Sequence, residues 1–306
     1  MNNILQGNVT DKLKEIESNT IQCVVTSPPY WGLRDYGSDG QLGLEETPEK
    51  YVEKMVEVFR EIKRVLKNDG TVWLNLGDSY ASAPTGSRGN YTGSKYGFNK
   101  NHKHSLEGTK RPSKLLKNIP EKNLVGIPWR VAFALQSDGW YLRQDIIWHK
   151  PNPMPESVKD RCTKSHEYIF LLTKSAKYYY NIDAIAEPCS YPNDKRGERP
   201  DQRRGTGMNS ISGNTGENRN KRSVWSINTK PYKEAHFAVF PPKLPELCIK
   251  AGSAVGDIIL DPFFGSGTTG WVAQRLGRKW IGIELNPEYI KIANKRFQQQ
   301  ELFYAK

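Results

Sequence analysis

Residues 26 to 31 read TSPPYW, directly after the apolar run IQCVV. Two successive prolines cannot continue a strand ladder, so the run must end there in a rigid corner. That corner carries the Ser27 hydroxyl, the Tyr30 ring and, at Pro28 and Pro29, a fixed backbone whose carbonyls face no competing local N–H. Such a set suits an exocyclic amino group. A hydroxyl oxygen and a backbone carbonyl would take its two hydrogens, shifting the nitrogen toward sp³ character and aiming its lone pair elsewhere, while the tyrosine ring stacks. This is catalysis by positioning and electrostatic preorganisation, with no covalent enzyme intermediate.

A second stretch, DIILDPFFGSGTTGWVAQRLGRKWIGIELNPEYI, places Gly265, Gly267 and Gly270 between a strand pattern and a helix pattern, with Glu284 at the end of the next strand, 19 residues after Gly265. Glycines that allow a tight turn, followed by a carboxylate for ribose hydroxyls, describe a nucleotide site. Asp261 selects among nucleotides. A carboxylate at the mouth of the loop would repel a dinucleotide pyrophosphate, whereas it would attract the sulfonium and amino group of S-adenosylmethionine.

The elements that must hold these residues alternate. IQCVVT, GTVWLNLG, DIIWHK, HEYIFLLTK, DIILDPF and KWIGIEL have strand length and composition. TPEKYVEKMVEVFREIKRVLKNDG predicts a helix with Thr47 as N-cap and Pro48 in the first turn. Its apolar face would hold Tyr51, Met55, Val58, Ile62 and Leu66, and it would stop at Gly70. IPWRVAFALQSDG, TTGWVAQRLGR and NPEYIKIANKRFQQQ read as further helices. The expected fold is α/β, Rossmann-like, with a mostly parallel sheet covered on both faces. Asp78, in LNLGDSY, ends a strand at the same sheet edge and is not read as catalytic; Trp148 and Lys150 end another, as the far wall of the pocket at the TSPPYW corner or plain core.

The net charge of +12 is unevenly spread: −4 over residues 1–80, +7 over 81–122 and +4 over 185–234. The last two stretches are rich in Gly, Ser and Asn and lack apolar periodicity, which predicts loops that order on contact with a polyanion. Cys23, Cys162, Cys189 and Cys248 are scattered, which argues against a zinc site or a disulfide framework. No apolar run approaches a membrane span and the N-terminus lacks a secretory pattern, so a cytoplasmic protein is expected.

SPPY is similar to the catalytic motif of the amino-methylating DNA methyltransferases of bacterial restriction-modification systems, and DPFFGSGTTG to their cofactor motif. Their order, catalytic motif first with a basic segment between, resembles the circularly permuted beta class. The resemblance covers almost the whole chain apart from the basic loops. It implies the S-adenosylmethionine-dependent methyltransferase fold, with 1–184 and 235–306 as the catalytic and cofactor-binding domain, 81–122 as an inserted basic loop and 185–234 as the target-recognition segment.

Position by position, it implies that Ser27, Pro28 and Tyr30 orient the target base and Pro29 shapes the corner. Asp261, Phe263, Gly265, Gly267 and Thr268 would line the cofactor site, with Glu284 on the ribose and Asn286 assisting. In LQGNVTDKL the family's usual acidic residue is Asn8 here, at the adenine ring. His236, Phe237 and Pro241 would close over the methionine end. Arg196, Arg199, Arg203, Arg204, Arg219, Lys221 and Arg222 would meet double-stranded DNA. Serine in the first motif position, followed by Trp31, points to N4 of cytosine over N6 of adenine. The implied setting is prokaryotic or phage, as a monomer or homodimer, with a restriction endonuclease acting independently. Two rival readings are a protein amide methyltransferase, which the basic loops disfavour, and a non-catalytic DNA-binding protein, which the two intact motifs disfavour.

Overall fold

In the computed structural model, residues 2–33, 40–81, 119–189, 218–229 and 240–304 are described. The chain runs β1 (Asn2–Gln6), α1 (Val9–Lys14), β2 (Ile21–Thr26), α2 (Pro48–Val65), β3 (Leu66–Leu76), α3 (Ile127–Ser137), β4 (Tyr141–His149), β5 (His166–Thr173), β6 (Glu187–Pro188), β7 (Asn218–Arg219), β8 (Val224–Ser226), α4 (Lys243–Gly252), β9 (Ile258–Asp261), α5 (Thr268–Arg275), β10 (Lys279–Glu284) and α6 (Pro287–Tyr304).

Eight strands form one sheet in the order β1-β10-β9-β2-β3-β5-β4-β8. Only β5 opposes its neighbours: it is antiparallel to β3 and β4, while the other pairings are parallel. Successive residues of β2 and β3 go to opposite faces, as strand geometry requires. Val24, Val72 and Leu74 join Leu13 of α1, Tyr51, Met55 and Phe59 of α2 and Val131 of α3. Cys23, Val25 and Trp73 join Leu244 and Cys248 of α4, Val272 of α5 and Ala293 of α6. Two apolar layers therefore clamp a sheet buried on both sides.

The connections decide where a ligand can sit. From β9 the chain passes through α5 to β10 on one side; from β2 it passes through α2 to β3 on the other. The winding reverses between β9 and β2. In open α/β sheets a crevice forms outside the carboxyl ends of the strands at that point.

Helix α2 begins as expected, with the Thr47 hydroxyl accepting from Lys50 N at 3.3 Å. It ends at Val65, five residues before Gly70. Leu66 is extended and pairs with Ile21 of β2, so strand pairing replaces the last helical turn that local periodicity suggested. The segment 185–234 is not separate at its far end either. Val224–Ser226 is the sheet's edge strand, and Trp225 and Ile227 enter the core.

Candidate active site

β2 stops at Thr26 and the chain turns through Ser27–Tyr30. Thr26 faces β9 across the switch point: its hydroxyl donates to Asp261 Oδ1 at 2.8 Å. Asp261 lies behind the glycine loop rather than at its mouth, being only 2% exposed. Its carboxylate also accepts from Thr269 Oγ1 at 2.7 Å and from Phe263 N at 3.1 Å. Burial pushes its pKa up to about 7 despite these hydrogen bonds. Asp261 thus braces the loop from beneath, joining β2, β9 and α5.

The loop leaves β9 through Phe263 and turns at Gly265 and Gly267, whose φ angles of 52° and 76° suit glycine. A Cβ at Gly265 would meet nothing within 4 Å, so its outer face is open. At Gly270, within α5, a Cβ would lie 2.7 Å from the Phe264 ring; that glycine serves packing. Glu284, at the end of β10, accepts from Gly265 N at 2.7 Å and from Asn286 N at 2.8 Å, and burial raises its pKa. Each carboxylate oxygen keeps a second lone pair for a ligand hydroxyl.

Other expected cofactor residues have structural work. Thr268 is buried and accepts from Arg296 at 2.8 Å, so its hydroxyl faces α6 and not the crevice, contrary to its place among the lining residues. Asn286 accepts from Glu288 N at the start of α6. Asn8 caps α1, accepting from Thr10 N at 2.9 Å. Pro241 is buried at the entry to α4, and His236 and Phe237 lie outside the described residues. Within the loop, Ser266 Oγ is buried and has no hydrogen-bond partner among the described residues.

At the corner, Tyr51 OH donates to Pro29 O at 2.9 Å. Among the described residues, the corner carbonyls of Ser27 and Pro28 have no hydrogen-bond partner. Ser27 Oγ donates to Tyr30 OH at 3.2 Å. Tyr30 OH is 2.8 Å from Glu167 Oε2 and 3.2 Å from Asn75 Oδ1. Glu167 is held in turn by Asn75 Nδ2 at 3.1 Å and by an ion pair between its Oε1 and Lys150 Nζ. Burial, then the negative charge of Glu167, raise the Tyr30 pKa well above its usual value, so the phenol stays neutral. The tyrosine ring passes over Gly77, where a Cβ would sit 2.4 Å from Cε2.

Asn75, Gly77 and Glu167 were not anticipated. The signal in the sequence was a carboxylate inside the strand run HEYIFLLT, since a charge placed among apolar residues must find partners. Lys150 does reach this cluster, with its ammonium 4.4 Å from the Trp148 ring centroid. Trp148 itself is core, its indole donating to Ile227 O at 2.9 Å. Asp78 accepts from Gly126 N and Ile127 N, both at 3.0 Å, and caps α3. Trp31 is 3% exposed and donates to Glu45 O.

Of the basic residues expected to meet DNA, Arg196, Arg199, Arg203 and Arg204 lie outside the described residues. Arg219, Lys221 and Arg222 gather around Glu187, at 3.2, 3.6 and 2.5 Å. Three cations share one carboxylate there. The antiparallel β6-β7 pair sets Arg219 opposite Glu187, with Lys221 and Arg222 just beyond it.

The chain matches the family described as DNA methylase, N6_N4_Mtase, over residues 21–295. It is 47% identical to the Type II methyltransferase M.SmaI of Serratia marcescens over 294 residues, covering 96% of this chain and 89% of that protein. To the Type II methyltransferase M.XycI of Xanthomonas campestris pv. cyanopsidis it is 48% identical over 297 residues, covering 97% and 88%. Among solved structures its fold is similar to that of the PvuII DNA methyltransferase (cytosine-N4-specific), with a TM-score of 0.64 at 21% identity, covering 97% of this chain and 86% of that one. It is also similar to M1.HpyAVI in complex with SAM, with a TM-score of 0.56 at 17% identity, covering 97% and 99%.

Proposed function

Because this chain belongs to the N6/N4 DNA methylase family, we propose that it is a site-specific enzyme moving a methyl group from S-adenosylmethionine to the exocyclic N4 of cytosine in double-stranded DNA. The observation that carries the reading is the set of acceptors at the switch point: Ser27 Oγ, whose hydrogen goes to Tyr30, and the Pro28 carbonyl, which like that of Ser27 has no partner among the described residues. Both stand beside the glycine loop, because Thr26 and Asp261 hold β2 to β9.

The loop suits S-adenosylmethionine. Gly265 presents backbone with open space beyond it, and Glu284 keeps lone pairs for two ribose hydroxyls. Phe263, Gly265, Gly267 and Glu284 would hold the cofactor, with Asp261 and Asn286 supporting the loop and the carboxylate rather than touching the ligand. When bound, the cofactor supplies an electrophilic methyl on a sulfonium sulfur. The chain's own residues bind and orient the base. Ser27 Oγ and Pro28 O take the two amino hydrogens and leave the nitrogen lone pair free. The target nucleotide must swing out of the stack to reach them, since neither group can enter a duplex.

Cytosine is favoured by Ser27 in the first motif position with Trp31 after the corner. Adenine N6 is the second reading, because either base offers an amino group next to a ring nitrogen. Residues 185–234 are assigned to target recognition: Arg, Asn and Gln are the side chains that pair with guanine and adenine edges. The test is single-molecule sequencing of DNA from a methylation-free host expressing the protein, with Ser27→Ala as control. N4-methylcytosine at one motif, absent in the control, is expected. N6-methyladenine alone would overturn the base assignment, and no modified motif would overturn the DNA reading.

A further inference from the structure

A serine hydroxyl can present either its hydrogen or its lone pairs, and only the lone pairs can receive an amino hydrogen. Which it presents depends on where its own hydrogen goes. In this site the answer is set three residues deep. Tyr30 OH has one hydrogen and two acceptors within reach, Glu167 Oε2 at 2.8 Å and Asn75 Oδ1 at 3.2 Å. The nearer, charged oxygen makes the stronger bond. With its hydrogen on Glu167, the Tyr30 oxygen can only accept, and Ser27 Oγ donates to it.

Glu167 is itself restrained on both oxygens. Oε1 pairs with Lys150, and Oε2 receives Asn75 Nδ2, whose amide is fixed by a second bond to Tyr168 O at 3.1 Å. Its side chain is only 15% exposed and that of Lys150 18%, so solvent cannot readily replace either partner. Gly77 leaves the room that keeps the Tyr30 ring in this path.

We infer that Glu167, anchored by Lys150, is a positioning residue for methyl transfer: acting through Tyr30, it commits the Ser27 hydrogen inward and leaves the Ser27 lone pairs to the target amino group. The inference rests on the proposed role of Ser27. Removing the Glu167 charge undoes this order. In Glu167→Gln the Lys150 ammonium captures the amide oxygen, which turns the new NH₂ toward the Tyr30 oxygen. The phenol hydrogen then has only Asn75 Oδ1 at 3.2 Å and Ser27 Oγ at 3.2 Å to choose between, and whenever it turns to Ser27 the serine presents a hydrogen where it must accept.

The experiment measures transfer of labelled methyl groups to unmethylated genomic DNA by the wild type, Glu167→Gln, Tyr30→Phe, the double variant and Ser27→Ala, together with KM for DNA, cofactor Kd and Tm. A hydrogen bond to a charged group corresponds to a loss of about ten- to hundredfold in kcat. That loss is expected in both single variants, with KM and Kd within about twofold, because the effect is on orientation and not on binding. The double variant should be no slower than Tyr30→Phe alone, since both changes cut one chain. A wild-type kcat in Glu167→Gln overturns the inference, and so does an additive loss in the double variant. If Glu167→Gln fails to fold, Tyr30→Phe decides, and a wild-type kcat there overturns it equally. Wild-type transfer by Ser27→Ala would instead overturn the proposed site, a result separable from the others.

Discussion

Asp261 is a carboxyl group with two hydroxyl donors and one amide donor, yet burial raises its pKa to about 7. The folded protein therefore holds a proton that the unfolded chain releases near 3.8. In that window the native state binds more protons than the unfolded state, so this group's contribution to stability falls as pH rises from about 4 through about 7 and levels off by about pH 8. Over the accessible part, pH 5.5 to 7, about 1.5 pH units at ~1.36 kcal/mol each give a loss of about 2 kcal/mol.

Asp261→Asn removes the titration and keeps the shape. The amide oxygen can accept from Phe263 N and Thr26, while its NH₂ faces Thr269. The Thr269 hydroxyl already lies 3.3 Å from Val25 O and can donate there instead. The assay is urea denaturation and thermal melting of both proteins without cofactor at pH 5.5, 6.25, 7 and 8. The wild type should lose stability relative to Asp261→Asn by about 2 kcal/mol between pH 5.5 and 7, or about 4 °C in Tm for a chain of this size. Between pH 7 and 8 only about 0.4 kcal/mol more should be lost, and the difference should hold steady beyond that. A difference that stays constant across the whole range would show that Asp261 does not titrate there, and the argument from its burial would be wrong.

Gly77→Ala would put a methyl group 2.4 Å from Tyr30 Cε2, so the ring must leave its path to Glu167. Methyl transfer should fall at least about tenfold with a stability cost of about 1–3 kcal/mol, and an unchanged rate in a kinetic assay would contradict the placement of the ring. Asp78→Ala would strip the amides of Gly126 and Ile127 of their acceptor at the start of α3, where Gly126 provides no side-chain cap. A loss of about 1–2 kcal/mol is expected from the urea midpoint, and wild-type stability would show that the cap is dispensable.

Much of this protein could be read along the chain because the signals are local. Two prolines end β2 whatever surrounds them, and a glycine-rich turn between strand and helix at 261–268 reads as a nucleotide loop from spacing alone. Thr47 and Pro48 start α2 as their side chains dictate. The end of that helix was different: Leu66 continues the apolar face, but its pairing with Ile21 across the sheet outweighs one more helical turn.

The same division runs through the site. Ser27, Tyr30, Gly265 and Glu284 were visible as residue types at telling intervals. Their roles depended on partners far along the chain. Asp261 looked like a charge facing the cofactor until Thr26, 235 positions away, and Thr269 were found on its oxygens. Glu167, 137 residues from Tyr30, had no local spacing to betray it. Composition and periodicity report what a segment does within a few turns of itself. Which side chains meet at the carboxyl edge depends on strand order, and strand order arises only when the two apolar faces of the sheet are buried together.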